Sequence, residues 1–153
     1  MARRLAAAAL AVACTSCAAL IQAPQVDVEA VHVESVTLTG GTMTLELVLT
    51  NPNNFELRGT AVDYALRVGD AAAADPRWVD LASGVRQEGF TLPPLGSTTV
   101  SVPVRFDWVG VGTAVRQLIE RKQLGYEAEG AVRVDLPGGV RRIPFRQQGK
   151  VSV

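Results

Sequence analysis

Met43-Thr-Leu-Glu-Leu-Val-Leu-Thr-Asn-Pro-Asn-Asn-Phe55 is the stretch on which the reading of this chain turns. Met43, Leu45, Leu47 and Leu49 fall on one side of an extended chain, and Thr44, Glu46, Val48 and Thr50 on the other. Alternation of this kind places one face in a core and the other toward water, which defines a half-buried strand. Asn51-Pro52-Asn53 then stops it. Pro52 has no backbone donor and biases Asn51 to extended geometry, and asparagine side chains fold back onto their own backbone. This strand and the turn that ends it set the pattern for the rest.

Upstream, residues 26–38 read as a strand whose parity slips twice. Val26 and Val28 share one face, Val31 and Val33 the other, and Val36 and Leu38 switch again, as a bulge or bend would produce. Thr39-Gly-Gly-Thr42 signals a tight hairpin, because paired glycines tolerate positive φ. Downstream, Val62, Tyr64, Leu66 and Val68 alternate up to Gly69, and the alanine-rich 70–76 reads as a loop. Val79, Leu81 and Val85 share one parity. Phe90 and Leu92 lead to the turn Pro93-Pro-Leu-Gly96, and Val100, Val102, Val104 and Phe106 make another strand, in which Pro103 marks an edge or a bulge. The period then changes: Trp108, Val111, Val115, Leu118 and Ile119 recur at helical spacing, with Asp107 or Thr113 as cap and Gly125 as terminator. Tyr126 to Val134 alternates once more, Pro137-Gly-Gly139 turns, and Ile143 and Phe145 begin a last strand ending at Val151 and Val153. The expected fold is mainly β: an antiparallel β-sandwich, immunoglobulin/fibronectin III-like, of about seven strands with one α-helix near the C-terminal third.

The first residues read differently. Arg3 and Arg4 precede the apolar run Leu5–Ala13, then Cys14-Thr-Ser-Cys17 and Ala23-Pro24. Positive charge, a short apolar run and small residues describe an export signal. The run is shorter than the about 20 residues a bilayer span needs. Residues 1–16 are thus expected to be a lipoprotein signal peptide, 17–25 an anchor and short linker, and 26–153 the folded domain. The lipidated residue is Cys17, which the length of the apolar run favours, or alternatively Cys14. An ordinary signal peptide releasing a secreted or periplasmic soluble protein is the rival reading. Removal of the two arginines leaves 13 basic against 15 acidic residues. That balance offers no electrostatic reason to bind nucleic acid, so membrane attachment falls to the anchor.

Candidates for chemistry are few. His32 is the only histidine, and hydrolytic triads and metal sites both need partners for it, so it is expected to face solvent. Glu127 and Glu129 share a strand face and read as a solvated pair with Arg133 nearby. Gly110-Val-Gly112 lacks the third glycine and the Lys-Ser/Thr of a phosphate loop. Arg141, Arg142, Arg146 and Lys150 are expected to scatter over two faces, and Trp78 and Trp108 to anchor the core. No catalytic residue, cofactor or metal is expected.

The order of these pieces resembles the late-embryogenesis-abundant type 2 family, which includes the water-stress and hypersensitive-response (WHy) domain. The resemblance is carried by Val36-Thr-Leu-Thr-Gly-Gly-Thr-Met-Thr-Leu-Glu-Leu47, Leu49-Thr-Asn-Pro-Asn-Asn-Phe55, Val62-Asp-Tyr-Ala-Leu-Arg-Val-Gly69, Val100-Ser-Val-Pro-Val-Arg-Phe-Asp107 and Tyr126-Glu-Ala-Glu-Gly130, and covers roughly residues 26–153. Asn54 and the alanine-rich loop 70–77 depart from the pattern. The resemblance implies a small β-sandwich with one helix and a non-catalytic role in desiccation, cold or other stress. It carries over no catalytic or ligand-binding residue; Asn51, Pro52 and Asn53 match its motif as structure. The expected function is that of a lipid-anchored, non-enzymatic protein of the bacterial envelope, on the periplasmic side of the outer membrane. Its expected partners are the membrane and client or envelope proteins. The alternative is a protein- or ligand-binding module that works by strand addition, with the Pro103 strand as the edge.

Overall fold

The computed structural model of the protein describes residues 20–153; residues 1–16, expected to be a signal peptide, and Cys17 lie outside the described residues, Cys14 with them. Strand β2 (Gly40–Thr50) runs through the middle of a three-stranded antiparallel sheet, between β1 (Gln25–Val36) and β6 (Ser97–Asp107). Met43, Leu45, Leu47 and Leu49 are completely buried, as the alternation requires. The parity slips in β1 are bulges: Glu29 and Glu34 have no partner in the β1–β2 register. The first turns Val31 and Val33 back to the core side, whereas Val36 and Leu38, beyond the second, stay exposed. Val28 and Val31 are both buried as a result.

The second sheet has five strands. β4 (Val79–Arg86), β3 (Leu57–Asp70), β7 (Leu124–Leu136) and β8 (Gly139–Lys150) are neighbours in that order, and β5 (Phe90–Leu92) pairs with the start of β3. All pairings between these strands are antiparallel. The apolar faces of both sheets join in one core that contains Leu45, Leu47, Val62, Leu66, Val102, Val104 and Val132. In β4 the shared parity of Val79, Leu81 and Val85 is broken. Leu81 is bulged out of register with β3, so Leu81 stays buried while Val85 turns outward and is 48% exposed.

One turn and the helix differ from expectation. The β1–β2 connection sits at Thr37–Thr39, one step earlier than the glycine pair, and the Thr37 N–H donates to the Gly40 carbonyl (2.8 Å). Neither Gly40 nor Gly41 has positive φ. Both are small because the flanking strands come close: a methyl group on Gly40 would meet the Phe106 carbonyl of β6, and one on Gly41 the Ser35 carbonyl of β1 and the Phe106 ring. The single expected helix is two, α1 (Trp108–Val111) and α2 (Thr113–Glu120), broken at Gly112. Gly112 has φ +86° and ψ 165°, a region essentially reserved for glycine, so the helical path cannot pass through it. Asp107 does cap α1, accepting from the Gly110 N–H at 2.7 Å. Gly125 lies within β7 and does not end α2. That role falls to Lys122 (φ +55°): its N–H bonds the Ile119 carbonyl and the Gln123 N–H the Leu118 carbonyl, the bond pair of a Schellman cap. Trp108 packs edge-on to Phe106, whereas Trp78 is only half-buried and outside the core.

The last strand starts earlier than expected, at Gly139, and the chain leaves it after Lys150 to join the two sheets. The Val151 N–H bonds the Leu124 carbonyl of the five-stranded sheet, while Ser152 exchanges bonds with Val31 and Val33 of β1 (2.9 Å each). This tail also covers part of the free edge of β1. The remaining edges are guarded in two ways. β4 carries the Leu81 bulge. β6 and β8 each carry a proline at mid-strand, Pro103 opposite Thr44 and Pro144 opposite Ala131. A proline fits a ladder only where its nitrogen faces away from the partner strand, so each removes a donor from the free edge. β6 is an edge as expected, but Pro103 makes it a poor template for strand addition. Replacing both prolines by threonine is therefore expected to produce concentration-dependent association in sedimentation velocity, with the parent chain unchanged over the same range.

Candidate functional site

The end of the domain where β2 stops is built on side-chain amides. Asn51 is completely buried and Asn53 nearly so. Because Pro52 holds the chain extended, Asn51 turns its amide inward. Its Nδ2 donates to the carbonyls of Phe55 (2.8 Å), Pro93 (3.1 Å) and Leu92 (3.3 Å). Its Oδ1 accepts from the Asn53 N–H (3.0 Å), an Asx turn, and from Asn53 Nδ2 (3.1 Å). Its backbone N–H reaches the Gly96 carbonyl at 2.8 Å. One residue thus fastens the end of β2 to the end of β5, to the turn leading into β6 and to the loop leading into β3. Asn53 extends the cluster to the N-terminal linker: the Gln22 N–H donates to Asn53 Oδ1 (2.9 Å) and Asn53 Nδ2 donates to the Gln22 carbonyl (2.8 Å). The strand-ending turn expected at Asn51, Pro52 and Asn53 is present. Its connection to Gln22 and Leu92 was hidden, because sequence carries no sign of contacts 31 and 41 residues away.

A second cluster lies on the outer face of the five-stranded sheet. Glu127 was expected in solvent beside Arg133 and is instead 1% exposed. It is ion-paired with Arg67 on one side and Arg146 (3.1 Å) on the other, and Gln148 donates to the same carboxylate. Three long side chains from β3 and β8 close over it, while Glu129 keeps its exposure. Arg133 belongs to a separate pair with Asp63 (2.9 Å), which Arg142 also reaches at 3.1 Å. Arg142, Arg146 and Lys150 have the same parity in β8 and share this face, while Arg141 has the opposite parity; the expected scatter over two faces therefore holds for Arg141 alone, and the common even numbering of the other three was the legible sign. Anions interleave with them, so no single-sign patch forms. The Gln148 hydrogen bond, then the Arg146 and Arg67 guanidinium groups, hold the Glu127 carboxyl below the usual carboxylate range against the opposing effect of burial.

The other candidates are dispersed. His32 lies half-exposed with Nε2 3.4 Å from Glu46 Oε2. Trp108 donates from Nε1 to the Thr37 carbonyl (2.8 Å), and the Arg116 guanidinium stands 5.9 Å over its ring. Among the described residues no group of three or more His, Cys, Asp or Glu side chains is placed to hold a metal ion, and no helix is long and apolar enough to cross a membrane.

The sequence matches the family described as late embryogenesis abundant protein over residues 46–149. The chain belongs to that family. The match opens within β2, takes in the Asn51–Asn53 cluster and ends one residue short of the close of β8. Solved structures share the fold of this late embryogenesis abundant domain. A solution structure from Arabidopsis thaliana superposes with a TM-score of 0.63 at 18% identity, over 87% of this chain and 83% of that one. A second solution structure, of a late embryogenesis abundant protein, gives 0.59 at 22% identity, over 87% and 72%. A crystal structure of a protein from Archaeoglobus fulgidus gives 0.54 at 12% identity, over 86% and 96%. No curated protein matches the sequence.

Asn51→Ala leaves the buried Leu92 carbonyl and the half-buried Phe55 carbonyl without this donor and the Asn53 N–H without an acceptor. It is expected to lower the unfolding free energy by about 3 kcal/mol in urea titration, against about 0.5 or less for Asn54→Ala at the exposed neighbour. Glu127 titrates lower in the folded than in the unfolded chain. Its stabilisation is therefore fully present above the unfolded carboxyl value of about 4.3 and is lost as pH falls through the folded value. Glu127→Gln is expected to flatten the loss of urea midpoint between pH 6 and pH 3 relative to the parent, in titrations run at both ends.

Proposed function

We propose that this chain is a lipid-anchored, non-enzymatic protein of the bacterial envelope that protects against desiccation and related stress. In this reading it is a WHy-type member of its family, with sheets packed in the immunoglobulin/fibronectin III manner. The observation that carries the proposal is the family membership itself, joined to the way the family's Asn-Pro-Asn segment is used. Both amides of that segment are engaged inside the fold with backbone partners and with each other, which supports a structural role for the motif. The anchor reading rests on Arg3, Arg4, the apolar run after them and Cys17 (or Cys14). Partners in this account are the membrane, through the anchor, and client or envelope proteins on the periplasmic side of the outer membrane. Guarded sheet edges support protection over strand-addition binding, since a protectant concentrated by drying must itself resist edge-to-edge aggregation.

Residues 18–153, dried or frozen with an unrelated labile enzyme, are expected to preserve its activity clearly above equal masses of albumin and of an unrelated two-sheet domain. Protection equal to those controls would turn the reading toward a specific binding module, to be sought by pull-down from membranes.

A further inference from the structure

We infer that the end of the domain bearing Leu20, Ile21, Leu95 and Val140 is a docking surface for the lipid bilayer, held against it by a short clamped linker. The inference rests on the anchor reading above and adds which surface meets the membrane.

Three observations carry it. The first is the length of free chain. Asn53 holds Gln22 through two hydrogen bonds, so five residue steps separate Cys17 from a point fixed to the domain. Fully extended, they span about 18 Å at most. The opposite end lies a strand length away, about 36 Å for the 11 residues of β2. An anchor at Cys17 thus keeps this end, and not the other, within reach of the lipid.

The second is what this end displays. Leu20 is 90% exposed, Leu95 72% and Val140 62%. They stand on adjoining features: the Leu95 N–H bonds the Asn53 carbonyl, Asn53 holds Gln22, and Ile21 borders the same shallow cleft as the Leu136–Arg141 hairpin. Pro93, Pro94 and Pro137, all exposed, fill the intervening turns.

The third is Leu95 itself. It occupies the third place of the Pro93–Gly96 turn at φ +51°, where turns favour glycine or asparagine. A leucine there is strained and packs against little of its own domain. Nothing among the described residues accounts for the side chain, whereas an apolar tip beside an anchored linker is accounted for by burial at the interface of the bilayer. The opposite end also exposes apolar side chains, Leu38 and Val109, which makes it a stringent control.

The test uses the chain from Cys17 onward, which contains the entire described core and a single cysteine. Cys17 is coupled to a maleimide-headgroup phospholipid in vesicles containing brominated acyl chains. Tryptophan is introduced as Leu95→Trp or, at the far end, as Val109→Trp, in the same background of Trp78 and Trp108. The added emission of Leu95→Trp is expected to be quenched at least ~3-fold more than that of Val109→Trp, as for a tip held in the interface. Equal quenching, or stronger quenching at 109, overturns the docking surface. The anchor reading is tested separately by the intact mass of the full chain extracted from membranes. A mass lacking lipid refutes that reading, while the quenching comparison still decides the docking surface.

Discussion

A strand that ends inside a protein must hand its hydrogen bonds to something, and here Asn51 receives them. Its side chain is removed from water and meets backbone groups at Phe55, Leu92, Pro93 and Asn53, while its own N–H meets Gly96. Those partners lie on two connections, the loop from β2 into β3 and the turn from β5 into β6. Without a donor of this size and direction, the carbonyls of Phe55, Leu92 and Pro93 would lose this partner together, and unsatisfied buried polar groups are among the most expensive defects a small domain can carry. An amide suits the place because it both donates and accepts within one planar group.

The opposite end is closed by different means. There the backbone of Val151 and Ser152 passes from the five-stranded sheet to β1, and the two short helices lay Val111, Val115 and Ile119 over the core. The apolar core between the sheets supplies the driving force for folding, and it is non-directional. The two polar closures supply direction. They decide which strand ends meet, and they give the domain two chemically distinct ends. One end carries the linker and amide cluster, the other the helices, Trp108 and the C-terminal tail.

Much of this was legible in the sequence. The leucines of β2 and the valines of β6 gave their burial directly through period two. Even the two bulges of β1 showed as parity slips, because a bulge shifts every following side chain by one face. The helix break was not legible: two glycines weaken a helix without saying which of them adopts a forbidden angle. The bulge at Leu81 was missed because Val79, Leu81 and Val85 made an acceptable pattern without it. Glu127 was misread for a related reason. Its burial depends on cross-strand neighbours, Arg67 on β3 and Gln148 on β8, and register between distant strands leaves no local trace. The Asn-Pro-Asn turn was recognised as structure, while its reach across 41 residues to Leu92 was a property of the fold alone.

The domain thus combines two sheets with guarded edges and an end organised around one buried amide, to which Gln22 is tied through Asn53. Side-chain hydrogen exchange of Asn51 tests the center of that arrangement in the unmodified protein. If the amide is the closure described, its Nδ2 protons exchange as slowly as the core backbone amides of Leu45 and Leu47, opening only with global unfolding. Exchange at the rate of an exposed asparagine such as Asn54, while Leu45 and Leu47 remain protected, would contradict it.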